Sequence, residues 1–252
     1  MPIPELSSSL TARLPPHAHS YNQRLSSKPS SQTSYASGMP FSALIFVAVA
    51  MVLAGHLLAS PLLVYSFKPL ATALILGIAI ASWRRGKDCY SYSLWISIGL
   101  LFSLVGDVFL LWPSLYFIHG LAAFLLTHLA YLIAFTRDAR FPARVWIWIL
   151  YLAIAATLYA FLYPNLPVPL KLPVALYSAL LSSMAAQAVG RFLVMKTKPA
   201  QSAAIGAVFF MLSDFLLAFD RFHTLILLAP VLILIPYYLG QWLIASSTRA
   251  RL

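Results

Sequence analysis

Two aspartates stand inside runs that are otherwise hydrocarbon: Asp107 in LLFSLVGDVFLLW and Asp214 in FFMLSDFLLAF. A charged side chain at the centre of a bilayer costs about 2.5–3.5 kcal/mol on insertion scales, so intramembrane carboxylates mark functional positions by default. Two carboxyl groups sharing an apolar site divide into a proton donor and a base. Low dielectric favours the neutral form, and like charges resist double ionisation. Other polar residues fall near the same level. From the expected helix ends and a rise of about 1.5 Å per residue, Lys68 and His119 lie about 4 Å inside the outer membrane boundary. Asp107, Asp214 and Tyr177 lie about 7–9 Å inside it. Lys68 and His119 are shallow enough to reach the headgroups instead, and an Asp–Lys pair also braces a bundle. His128 is deeper, and either joins the site or bonds a neighbouring helix. Tyr237, Tyr238 and Gln241 are either helix–helix contacts or pocket lining. Lys68, His128, Tyr131, Tyr177 and Tyr238 are the groups expected to hold a substrate.

The sequence argues against several other chemistries. His119 and His128 are nine residues apart, about 2.5 helical turns, and face opposite sides. No H-x-x-x-H or H-E-x-x-H occurs, so no metal site is expected. There is no G-x-S-x-G, no Walker motif and no G-x-G-x-x-G, hence no nucleophile elbow and no nucleotide signal. The single cysteine, Cys89, has no partner for a disulfide.

The elements that carry these residues are membrane spans. The chain has 252 residues, 61% hydrophobic and only 9% charged, whereas a soluble domain carries about 25% charge. Apolar runs long enough to cross a bilayer recur near 41–60, 65–83, 90–112, 116–136, 145–163, 172–190, 200–219 and 223–246. The expected fold is an all-α, eight-helix integral membrane bundle. Residues 1–38 form a Ser/Pro-rich tail expected to be disordered, 39–248 the membrane domain, and 249–252 a basic end. Fourteen basic residues fall in the tail, the even-numbered loops and the C-terminus, against Lys171 and Arg221 on the other side. The positive-inside rule then places both termini in the cytoplasm. The net charge of +11 is thus a topology signal, and no nucleic-acid partner is expected. Lys68-Pro69 with Lys171-Leu172-Pro173, Asp107 with Asp214, and His119 with His223 recur at offsets of 103, 107 and 104 residues, which suggests a four-span unit used twice.

The stretches KPL at 68–70, SLVGDVFLL at 103–111, GLAAFLLTHLAYLIAF at 120–135, GAVFFMLSDFLLAFDRF at 206–222 and YYLGQWLIA at 237–245 resemble the YhhN family, which includes the eukaryotic TMEM86 lysoplasmalogenases. The resemblance covers roughly residues 41–246; His119 matches no family motif. It implies a cofactor-independent membrane hydrolase that cleaves the vinyl ether of lysoplasmalogen to a fatty aldehyde and a glycerophospho-alcohol. Asp107 and Asp214 match the family's functional carboxylates. The implied partners are the lysophospholipid and the bilayer, and the implied location is the inner membrane of a bacterium or the endoplasmic reticulum of a eukaryote. Vinyl ether hydrolysis fits these residues independently, since it needs one acid to protonate carbon and one carboxylate to steady the resulting oxocarbenium ion and activate water. The rival class is a lipid-binding or proton-coupled transport protein. Against it stands the lack of an obvious pair of Gly/Pro-broken helices near the aspartates; for it stand Pro230 and Pro236 in the last span.

Overall fold

The computed structural model describes residues 38–85 and 90–249. The Ser/Pro-rich tail up to residue 37, Lys87 and Cys89 of the basic loop, and residues 250–252 lie outside the described residues.

The described residues form α1 Gly38–Leu57, α2 Pro61–Arg85, α3 Tyr90–Phe109, α4 Pro113–Phe135, α5 Val145–Leu162, a short 3-10 turn Tyr163–Asn165, α6 Val168–Met195, α7 Lys198–Phe222 and α8 Ala229–Ser246. Helices α2 to α8 are long and apolar enough to cross a membrane, and Phe41–Leu57 is a shorter apolar helix. Proline opens five of them: α2 begins at Pro61, and α4, α6, α7 and α8 have proline in their first two positions. There the missing N–H costs nothing and the fixed φ suits a first turn. Between α6 and α7 the chain reverses at Lys196, in the left-handed region at φ 53°, and Thr197 then caps α7 by accepting from Ala200 N. The connections are short, so successive helices run in opposite directions. The α1–α2, α3–α4, α5–α6 and α7–α8 connections therefore share one rim.

Three differences from the expected spans matter. Helix α2 starts at Pro61, so Lys68 sits about 10 Å along it, not about 4 Å. Helix α6 runs on to Met195, and Arg191, expected in a loop, is buried. Its Nε and Nη2 donate to the two carboxylate oxygens of Asp138 at 2.6 and 2.8 Å, and its guanidinium lies 4.9 Å from the Tyr92 ring centroid. Helix α8 starts only at Ala229, so His223 belongs to the connection and not to a span. Proline also lies inside α2 (Pro69), α6 (Pro173) and α8 (Pro236).

Much of the packing follows the four-helix period. The most extensive contacts are α7 with α8 and α3 with α4; next come α2 with α3, then α5 with α6 and α6 with α7 equally, then α4 with α6 and α2 with α8. Advancing every helix by four exchanges the members of these pairs except α5 with α6, whose counterpart α1 with α2 packs far less among the described residues. In sequence terms, the Asp107/Asp214 match of the repeat keeps equivalent places on α3 and α7, while His119 and His223 do not, one being helical and the other not. Between α7 and α8 the backbones meet where both residues lack a side chain. A Cβ on Gly206 would stand 2.7 Å from the Gly240 carbonyl oxygen, and one on Gly240 the same distance from the Gly206 oxygen.

Candidate functional site

Three helices build the surroundings of Asp107. The side chain is on α3, 1% exposed, and its Oδ2 accepts from Thr72 Oγ1 of α2 at 2.5 Å and from Tyr237 OH of α8 at 2.7 Å. Lys68, one turn before Thr72 on α2, places Nζ 3.8 Å from Oδ1. One oxygen thus receives two hydroxyl hydrogens and the other faces an ammonium group.

Asp214, on α7, meets different chemistry. Tyr177 of α6 donates its OH to Oδ2 at 2.5 Å, and His128 Nε2 of α4 lies 3.3 Å from the same oxygen. The His128 ring is fully buried, edge-on to Tyr177 at 5.0 Å and tilted against Phe210 at 4.9 Å, and neither of its nitrogens completes a hydrogen bond within the described protein. Each aspartate therefore draws its partners from the helix before it, two for Asp107 and one for Asp214, and one more from the last helix of the other half. The difference lies in charge: Asp107 has a lysine and two hydroxyls, Asp214 a phenol and an imidazole.

Two open spaces meet here. A cleft with about 900 Å³ of free volume is lined by both aspartates, Lys68, His56, Arg221 and Tyr237. A second cavity runs among α4, α5, α6 and α7 and is apolar apart from Tyr177, Asp214 and a few hydroxyls; Leu121, Leu158, Leu181 and Phe215 are typical of its wall. Leu110, Phe117, Phe124, Asp214 and Leu217 border both. A polar cleft joined to an apolar cavity at a carboxylate suits an amphiphile with one chain.

A model of the YhhN family matches residues 63–248, most of the chain and all the helices from α2 onward. The chain belongs to the YhhN family. Among YhhN relatives, it is similar to lysoplasmalogenase TMEM86A of Bos taurus, 34% identical over 156 residues that make up 60% of this chain and 64% of that protein. Lysoplasmalogenase TMEM86B of Rattus norvegicus is 34% identical over 157 residues, 62% of each chain. A lysoplasmalogenase homolog of Dictyostelium discoideum is 45% identical over 51 residues, 20% of this chain and 16% of that protein. The chain spans a little under two thirds of the length of the first two relatives. No solved structure matches it significantly.

In this YhhN chain the residues expected to form a site part into two groups. Asp107, Asp214 and Lys68 line the cleft, and Tyr177 lines the apolar cavity. His128 stands behind Asp214 and borders neither space. Tyr131 and Tyr238, expected to hold substrate, border neither space either. Tyr131 donates to Gln241 Oε1 at 2.5 Å, and Tyr238 donates to the Lys68 carbonyl at 3.2 Å, so both brace α8 against its neighbours. His119 turns outward, packed against Phe109 and Tyr116 beside a non-helical residue in the first turn of α4. Sequence reasoning missed Thr72, His56, Arg221 and Phe124 and left Tyr237 undecided. Thr72 had a signal, being four residues after Lys68 and so on its face of the helix. His56 and Arg221 had none, because only the meeting of α1 and α7 with the cleft gives them a place.

Proposed function

We propose that this chain is a membrane-embedded lysoplasmalogen hydrolase, with the phosphorylated headgroup in the polar cleft and the alkenyl chain in the apolar cavity. The observation that carries the reading is the junction of the two spaces at Asp214, with Asp107 in the same cleft. A lysolipid seated across that junction would have its polar-to-apolar boundary, where its vinyl ether lies, beside a carboxyl group. The printed names of the relatives support the same substrate. The basic-residue split puts the rim with His56 and Arg221 on the non-cytoplasmic side.

The two aspartates take different roles in this reading. Asp107, with its two hydroxyl donors and Lys68, is the carboxylate. Asp214, with no lysine or arginine bonded to it among the described residues, is the acid. Its proton goes to the β carbon of the vinyl ether; the C=C electron pair forms the new C–H bond, and the adjacent carbon becomes an oxocarbenium ion. Water adds to that carbon and yields a proton to Asp107. The hemiacetal then gives its hydroxyl proton to the Asp214 carboxylate while its C–O bond to the glycerol oxygen breaks and that oxygen takes the proton held by Asp107, leaving R–CH2–CHO, the glycerophospho-alcohol and both aspartates in their starting states. One water is consumed and no redox partner is needed. Tyr177 fixes the Asp214 carboxyl, with the His128 ring 3.3 Å from the same oxygen. Lys68 and Arg221 are the cations available to the phosphate, and His56 lines the same cleft.

Proton-coupled transport is the second reading, because Pro69, Pro173 and Pro236 lie within helices that carry residues of the site. The test is chemical. Purified protein is incubated with lysoplasmalogen and the free aldehyde is measured. The parent releases aldehyde, while Asp107→Asn and Asp214→Asn fold and release almost none, since a general acid or base accounts for about 10²–10⁴ in rate. Folded parent protein that yields no aldehyde overturns the reading.

A further inference from the structure

The mechanism creates a cation, and the ring best placed to face it is Phe124. This rests on the hydrolase reading above. Of the five residues that border both spaces, Leu110 and Leu217 are aliphatic and Asp214 is the acid, leaving two aromatic rings, Phe117 and Phe124. Phe117 already has a cation on it, the Arg221 guanidinium at 5.1 Å from its centroid, and sits edge-on to Phe222 at 5.8 Å. Phe124 lies seven residues further along α4, about 10 Å deeper on the same face, and has no cation in contact among the described residues.

The position of Phe124 is held from three sides. A Cβ on Gly106 would fall 2.7 Å from its Cε2, so the ring occupies the space left by the missing side chain next to Asp107. Phe210 packs edge-to-face with it at 6.1 Å and Tyr237, the hydroxyl donor to Asp107, at 5.9 Å. Only 6% of the residue is exposed. We propose that Phe124 is a catalytic residue whose π cloud stabilises the oxocarbenium ion formed at the junction of cleft and cavity. The attraction between ring quadrupole and cation grows with desolvation, and the Phe124 ring is largely buried. A cation that exists only after proton transfer gains from the ring in the transition state and not in the bound substrate, so the effect falls on kcat.

The experiment replaces Phe124 with 4-fluoro-, 3,5-difluoro- and 3,4,5-trifluorophenylalanine, which drain the ring face stepwise with little change in shape. Phe124→Leu is made as well, and the same analogues are placed at Phe135, a buried core ring on α4 that borders neither space. Aldehyde release gives kcat and KM, and thermal melting in detergent shows that each protein is folded. The expected result is a graded fall in kcat of about tenfold across the Phe124 series with KM nearly constant. The Phe135 series stays flat, and Phe124→Leu falls at least as far as the trifluoro protein. A kcat that ignores fluorination at Phe124 in an active parent overturns the assignment, even if Phe124→Leu is slow. A parallel fall in the Phe135 series overturns it too. A parent without aldehyde release overturns the hydrolase reading itself.

Discussion

Lys68 Nζ lies 3.8 Å from Asp107 Oδ1, with the two side chains 10% and 2% exposed. Among the described residues no such ammonium stands beside Asp214, whose neighbours include Tyr177 and His128. Removing one member of a buried pair leaves an uncompensated charge and costs about 3–5 kcal/mol, whereas removing both costs far less. Lys68→Met should therefore melt well below the parent in detergent, and Lys68→Met with Asp107→Asn should recover most of the loss. Additive losses in that double-mutant cycle would show that the two groups are not coupled.

Tyr177→Phe removes the hydroxyl that orients Asp214 and leaves the ring in the cavity wall. A hydrogen bond to an ionisable group is worth about 1.5–3 kcal/mol, so kcat should drop by about 10- to 100-fold with KM little changed. A raised KM at constant kcat would instead make Tyr177 a substrate-holding residue. His128→Asn belongs in the same assay, where the expected loss is again in kcat.

Gly206→Leu should be among the most disruptive single changes. Even a Cβ would stand 2.7 Å from a backbone oxygen that cannot swing aside, so α7 and α8 must separate. Overpacking of this kind costs about 1–3 kcal/mol. Since α7 carries Asp214 and α8 carries Tyr237, the readouts are the melting temperature and aldehyde release, both lowered. A variant with parental stability would mean that the α7–α8 contact is looser in the membrane.

Carboxylate catalysis on a vinyl ether sets a selectivity. Protonating carbon needs a placed acid, while ester cleavage needs a nucleophile and an oxyanion hole. Aldehyde should be the product from lysoplasmalogen, and the ester of an ordinary lysophospholipid should be cleaved at least about 100-fold more slowly, on the scale of one missing catalytic group. A chelator should leave the rate unchanged. Free fatty acid as the main product, or loss of activity with chelator, would defeat the mechanism.

The basic-residue split makes a prediction about orientation. A reporter fused after residue 252 that is active only in the cytoplasm should be active, and one placed in the Ala59–Ser60 connection should not. The opposite pattern would turn the site toward the cytoplasm.

How much of this was legible depends on whether the cause is local. Asp107 and Asp214 are conspicuous because each is the one charged residue in a long apolar run, LLFSLVGDVFLLW and FFMLSDFLLAF, and the eight apolar runs follow from composition. The depth of Lys68 was misjudged because a proline at residue 61 starts α2 earlier than hydropathy alone suggests. Tyr237 and Tyr238 are neighbours, so their side chains diverge by about 100° around the helix, and only packing decides which one reaches the aspartate. His119 and His128 had to face opposite ways, but the sequence did not say which faced inward. The cleft and cavity are made between helices far apart in the chain, and no local pattern encodes them.

The junction at Asp214 also governs what becomes of the products. Cutting an amphiphile at the boundary between a wet space and a dry one yields two molecules with opposite solubilities. On the proposed reaction, the glycerophospho-alcohol is born in the cleft and diffuses into water, while the long-chain aldehyde is born among α4, α5, α6 and α7 and partitions into lipid. Recombination is then suppressed by phase, because the two fragments no longer share a solvent. The aldehyde reaches its next enzyme by lateral diffusion in the bilayer, so whatever oxidises or reduces it must draw its substrate from the membrane.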